Sequence, residues 1–350
     1  MSHLAAPSSD THVEACCSTG SSPGGTHTDS VLRVRLSLDR SPVPHVVPVP
    51  YEVQGPLDAP ATVVLGGISA NRHPSPTSLD PSPGWWPGVV GAGRALDPAS
   101  HRIVGMDWVG GAGGWPLPCP ITPRDQARAL VAVLDHLGLG SVTLIGASYG
   151  GMVALAFAAA YPTRVRRLLV LCAAHRAHPM ATAVRSVQRG ILRLGLETGR
   201  EADGVALARA LAMTTYRSPE EFDGRFPWRD TQEDAGAPVF PVDGYLEARG
   251  ADFASRFDAG AYLALSTSID LHDVRPADIG VPTTLLSVDS DPLAPPWLVE
   301  ELAAAAPGVR EHVRLSSPYG HDAFLKEGPA VSSVIRAVVA PPVAGEEVAR

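Results

Sequence analysis

The chain has 350 residues, 45% hydrophobic and 18% charged, which suits a globular protein with one large domain carrying an insertion, or with two domains. Its net charge of −8 gives a nucleic-acid partner no electrostatic support, and no apolar run is long enough to span a membrane. The four cysteines, Cys16, Cys17, Cys119 and Cys172, follow neither a disulfide framework nor a zinc spacing, so no bound metal is expected.

Residues 1–29 are rich in Ser, Thr, Gly, Pro and Ala, and a disordered tail is expected there. No basic stretch followed by an apolar one opens the chain, so the expectation is a cytoplasmic protein without a secretory signal. Residues 31–38 alternate as a half-buried strand does, and 45–51 should pair with them. The apolar runs at 61–65 and 101–107 read as strands covered on both faces. Helical spacing follows over 122–137, where Thr122 and Asp125 resemble a capping box with Asp in place of Glu or Gln. Then come a strand at 142–145, a helix at 151–160 and a strand at 167–171.

Past residue 173 the alternation stops. Helical patterns take over at 181–194, 204–213 and 259–268, before strands return at 283–288 and 312–315 and a helix closes at 329–339. Strands alternating with helices predict an α/β class, a doubly wound and mostly parallel sheet. The expected layout is a core of residues 30–172 and 281–342, with 173–280 a helical cap insertion over the edge where open α/β sheets bind ligands.

The chemistry concentrates in Gly146-Ala147-Ser148-Tyr149-Gly150, between the strand at 142–145 and the helix that follows. G-x-S-x-G at a strand-to-helix junction is the pattern of a nucleophile elbow, and an α/β-hydrolase orders its triad Ser, then acid, then His. Downstream, the loop after 283–288 offers Asp289 and Asp291, and the loop after 312–315 offers His321. A serine hydroxyl needs an imidazole to take its proton, and the imidazole needs a carboxylate to fix its tautomer. Ser148 is thus read as nucleophile, His321 as base and Asp291 as orienting acid, with Asp289 the alternative acid. An oxyanion hole takes one backbone N–H from the residue after the nucleophile, Tyr149, and one from the loop after an early strand, Gly66-Gly67-Ile68-Ser69-Ala70, where Ile68 is the candidate. His175 and His178 lack a third ligand at metal spacing, and Arg72 and His73 have no derivable role.

Ser317-Pro318-Tyr319-Gly320-His321-Asp322-Ala323-Phe324 resembles the histidine motif of the homoserine O-acyltransferases, a family of α/β-hydrolase fold. Thr214-Thr215-Tyr216-Arg217-Ser218 and the stretches at 242–246 and 256–263 resemble cap segments of that family. Gly66-Gly67-Ile68-Ser69-Ala70, Ala174-His175-Arg176-Ala177-His178-Pro179 and Ser268-Ile269-Asp270-Leu271-His272 are similar to its short homoserine O-succinyltransferases. The resemblance implies Arg189 as the residue binding the homoserine carboxylate and Asp322 as the one binding its amine. It also implies an acyl-CoA co-substrate, succinyl-CoA in preference, no bound cofactor, L-homoserine as acceptor, a role in methionine biosynthesis and a homodimer formed through the cap. The alternatives are acetyl transfer, serine as acceptor, or ester hydrolysis by the same triad.

Overall fold

The computed structural model describes residues 14–22, 25–112, 117–226, 232–234 and 237–341. Its first strands are β1 (Glu14–Ser22), β2 (Gly25–Leu36), β3 (His45–Gln54), β4 (Ala61–Leu65) and β5 (Arg102–Met106). Helix α1 (Pro123–His136), β6 (Val142–Ala147), α2 (Tyr149–Ala160) and β7 (Val165–Leu171) complete the first half of the core. The chain then leaves the sheet for α3 (Pro179–Glu197), α4 (Glu201–Tyr216) and α5 (Pro219–Arg225). A two-stranded pair, β8 (Gln232–Asp234) with β9 (Ala237–Val239), precedes α6 (Pro241–Ala254) and α7 (Ala259–Asp270). It returns through β10 (Thr283–Val288), α8 (Pro296–Ala305), β11 (Val309–Leu315), α9 (Ala323–Lys326) and α10 (Gly328–Val339).

Nine strands form one sheet in the order β1-β2-β3-β5-β4-β6-β7-β10-β11. The six from β5 to β11 run parallel, and β1, β2 and β3 add to their edge antiparallel. All five residues of β4 and of β5, and all six of β6, are buried, because helices and loops cover both faces. One apolar core lies on the side of α1, α2 and α8; a second, built on Trp86, Leu96, Phe324 and Ile335, lies on the other. The start of α1 carries the capping box read from sequence: Asp125 N–H donates to Thr122 Oγ1 at 3.2 Å, and Thr122 N–H to Asp125 Oδ2 at 2.9 Å.

The tail expected over 1–29 differs from the structure. Glu14–Ser22 and Gly25–Leu36 are paired strands, and only residues 1–13 and 23–24 of that stretch lie outside the described residues. A polar segment can join an open sheet edge through backbone hydrogen bonds alone, which hydrophobic patterning does not reveal. Among the described residues no helix is long and apolar enough to cross a membrane.

Candidate active site

Ser148 sits between the end of β6 and the start of α2 with φ 55° and ψ −121°, a backbone conformation that side chains rarely adopt. The turn is possible because its flanking positions are glycines. A Cβ on Gly146 would fall 2.3 Å from Gly150 O, and one on Gly150 would fall 2.2 Å from Leu65 O. Two backbone bonds hold the turn: Ser148 N–H to Leu171 O at 2.9 Å, and Gly150 N–H to Gly66 O at 2.8 Å. The second ties the elbow to the loop after β4.

His321 comes from the loop after β11 and Asp291 from the loop after β10, both at the C-terminal ends of parallel strands. His321 Nε2 is 2.7 Å from Ser148 Oγ, and its Nδ1 is 2.7 Å from Asp291 Oδ2. Asp291 is 2% exposed, and its Oδ1 accepts the N–H groups of Leu293 at 2.8 Å and Ala294 at 3.0 Å. Both carboxylate oxygens are therefore in use. Asp289, the alternative acid, is exposed and held by Arg314 instead, at 2.9 Å. Ser290 locks the two loops together, donating to Ser317 O and accepting from Gly320 N–H. Burial lowers the His321 pKa, but the adjacent Asp291 carboxylate outweighs it, so the group stands above its ordinary 6.5.

Ile68 and Tyr149 both line the cavity in front of Ser148. The Gly67 carbonyl accepts from Trp108 Nε1 and Ala70 N–H, each at 3.0 Å, so the N–H of the Gly67–Ile68 peptide points the other way. Neither the Ile68 nor the Tyr149 N–H has a protein acceptor among the described residues. Arg72, whose role could not be derived from its sequence context, positions this loop. It pairs with Asp29 and Asp107 at 2.8 Å each, while the neighbouring His73 pairs with buried Glu52 at 2.8 Å. The Tyr149 ring is wedged edge-on against Trp108, and its hydroxyl meets Ser268 Oγ of α7 at 2.7 Å.

The cavity has a volume of about 330 Å³, with a floor of core loops and a roof of α3, α4 and α7. Asp322 lines it beside His321, its Oδ2 held by Arg217 Nη2 at 3.1 Å; burial raises its pKa despite that cation. Arg189, the residue the resemblance implies for the acceptor carboxylate, does not itself line the cavity but bonds Ser266, which does. Its Nη1 is committed to Asp270 Oδ2 at 2.6 Å and to Ser266 O and Oγ at 3.1 Å. One helical turn earlier, Arg185 reaches the cavity while also pairing with Asp270 at 2.6 Å. Both arginines lie on one face of α3, so spacing alone could not separate them.

Sequence reasoning also missed Arg209 and Cys172 in the wall. Arg209 is carried by α4, whose helical pattern gave no hint of which side faces the site. Cys172 follows directly after β7 at φ 51°, and burial pushes its thiol pKa well up, so it stays protonated in the same cavity wall as Ser148. His175 and His178 join no metal-binding cluster among the described residues.

A strained serine, a buried imidazole and a buried carboxylate under a helical roof define the class: residues 63–328 match the family model described as the alpha/beta hydrolase fold. The chain is 43% identical over 289 residues to a homoserine O-succinyltransferase of Xanthomonas campestris pv. campestris, covering 81% of this chain and 77% of that one. It is 39% identical over 282 residues to a homoserine O-acetyltransferase of Thermus thermophilus, covering 73% and 71%. The chain belongs to the homoserine O-acyltransferase family of the α/β-hydrolase fold. Among solved structures, a homoserine O-acetyltransferase from Bacillus anthracis superposes with a TM-score of 0.82 over 92% of this chain and 100% of that one, at 16% identity, which speaks for the fold.

Proposed function

We propose that this protein is a homoserine O-succinyltransferase that moves a succinyl group from succinyl-CoA to the hydroxyl of L-homoserine, a step in methionine biosynthesis. The observation that carries the reading is the buried Ser148–His321–Asp291 relay beneath a cap, in a chain so similar to the Xanthomonas transferase. Ser148 Oγ gives its proton to His321 Nε2 and attacks the thioester carbonyl. The Ile68 and Tyr149 N–H groups hold the oxyanion, and Asp291 stabilises the imidazolium. The C–S bond breaks, His321 returns the proton to sulfur, and CoA leaves an acyl-serine behind. The homoserine hydroxyl then gives its proton to His321 and attacks the ester, and the same proton goes back to Ser148 as the O-acyl product departs.

The roof over the cavity serves to keep water from the acyl-serine, without which hydrolysis would compete. Asp322 is suited to the acceptor's ammonium, and the acceptor's carboxylate falls to Arg185 in place of Arg189. No bound cofactor enters the scheme, and the enzyme is read as cytoplasmic. A homodimer through the cap is supported by a seam on α3, where Met180, Ala183, Val187, Gly190 and Leu194 are all exposed at alternating three- and four-residue spacing. Sedimentation at micromolar concentration tests it, with Val187→Glu expected to yield monomers.

The Thermus likeness favours acetyl transfer as a second reading. CoA release measured with succinyl- and acetyl-CoA, each against homoserine, serine and water, decides among these. Succinyl-CoA with homoserine should give the highest kcat/KM; release that is independent of any acceptor would make the protein a hydrolase and refute the proposal.

A further inference from the structure

We propose that a basic cavity adjoining the catalytic pocket holds the phosphate groups of the CoA moiety of the acyl donor; this rests on the acyl-CoA reading given above. The cavity has a volume of about 440 Å³ and shares Trp85, Arg209, Arg256, Asp322 and Leu325 with the pocket around Ser148. A ligand can therefore extend from one into the other. Its wall carries Arg209, Arg217, Arg225, Arg249, Arg256 and Lys326 against two carboxylates, Asp252 and Asp322. That concentration runs against a net charge of −8 for the whole chain, and it takes in the only lysine of the sequence.

Internal ion pairs neutralise only part of this charge. Arg217 is held by Asp322 at 3.1 Å, Arg256 by Asp252 at 2.8 Å, and Arg225 lies 3.6 Å from Glu221. Among the described residues, Arg209, Arg249 and Lys326 have no carboxylate within 4.0 Å. Arg209 instead lies over the rings of Tyr216 and Phe253, at 5.0 and 4.6 Å. Two buried donors in the same wall have no partner: Trp85 Nε1, and Nε of Arg217, a residue only 8% exposed. Like charges held this close repel one another, and a multiply charged anion relieves that repulsion.

The donor set also fits the ligand. Guanidinium forks pair bidentately with phosphate oxygens, and an ammonium adds a point charge. With the thioester carbonyl at Ser148, the uncharged pantetheine arm would cross the shared wall and the diphosphate and 3′-phosphate would lie among the cations.

Calorimetric titration of the full-length protein with CoA, pantetheine, adenosine 3′,5′-bisphosphate and inorganic phosphate tests the site without turnover. CoA should bind at least about tenfold more tightly than pantetheine, and the difference should shrink as salt is raised. In the Arg249→Gln/Lys326→Gln double variant, both positions being exposed, the advantage of CoA should fall about tenfold while pantetheine binding moves less than about twofold. The KM values for succinyl-CoA and succinyl-pantetheine should diverge in the same way. Equal binding of CoA and pantetheine to the wild type, or an undiminished advantage in the double variant, overturns the inference. Inorganic phosphate competing as well as adenosine 3′,5′-bisphosphate would make this a free-anion site and also overturn it. If CoA binds as expected but homoserine elicits no CoA release, the transferase reading fails and the phosphate site stands.

Discussion

Replacing Asp291 by Asn is the sharpest test of the relay. The change preserves size, and the amide oxygen can still accept from Leu293 and Ala294 N–H, so the loop should hold. Its NH2 group then faces His321 Nδ1, where Asp291 Oδ2 had accepted at 2.7 Å. Nδ1 must become an acceptor, which moves the imidazole proton to Nε2, and Nε2 then presents N–H to Ser148 Oγ and cannot take its proton. The loss of tautomer control and of imidazolium stabilisation should cost about 10⁴-fold in kcat, on the order of 5.5 kcal/mol. Rapid-quench measurement of acyl-serine formation from succinyl-CoA isolates the affected step. The pH profile adds a second readout. Because the base must be neutral, wild-type kcat/KM should rise with pH through an apparent pKa above 6.5, and the variant's limb should move down once the carboxylate is gone. A loss of less than about tenfold in the variant, or an equal loss in Asp289→Asn, would refute this assignment of the acid.

Gly150→Ala should cost about 2 kcal/mol or more and most of the activity, because its methyl would strike Leu65 O and displace the loop carrying Ile68; thermal melting and CoA release measure both. Tyr149→Phe removes the hydroxyl that meets buried Ser268, and should cost about 1–2 kcal/mol in urea denaturation. Its kcat should stay within a few-fold of wild type, since the backbone N–H is retained. Arg185→Met should raise the homoserine KM at least about tenfold with a smaller change in kcat, whereas Arg189→Met should act mainly on the melting temperature. The reverse pattern would return the acceptor contact to Arg189.

The sequence by itself determined the sheet's parallel heart, the elbow, and the chain order of serine, acid and histidine. These depend on local rules: buried strands read as unbroken apolar runs, a tight turn demands glycine at Gly146 and Gly150, and loops at strand ends collect on one edge. What it left open was every choice between near neighbours. Asp289 and Asp291 share a loop, yet one faces Arg314 in solvent and the other His321 in the interior. Arg185 and Arg189 share a helix face, and only the position of α7 with Asp270 decides which of them meets the cavity. The edge strand Glu14–Ser22 was illegible because backbone pairing leaves no mark on side-chain pattern. The basic cavity was illegible too, since its cations come from several helices and the loops between them, spread from Arg209 to Lys326. Local conformation is encoded residue by residue, but the facing of one side chain toward another depends on how the elements pack, and that was decided only in the tertiary structure.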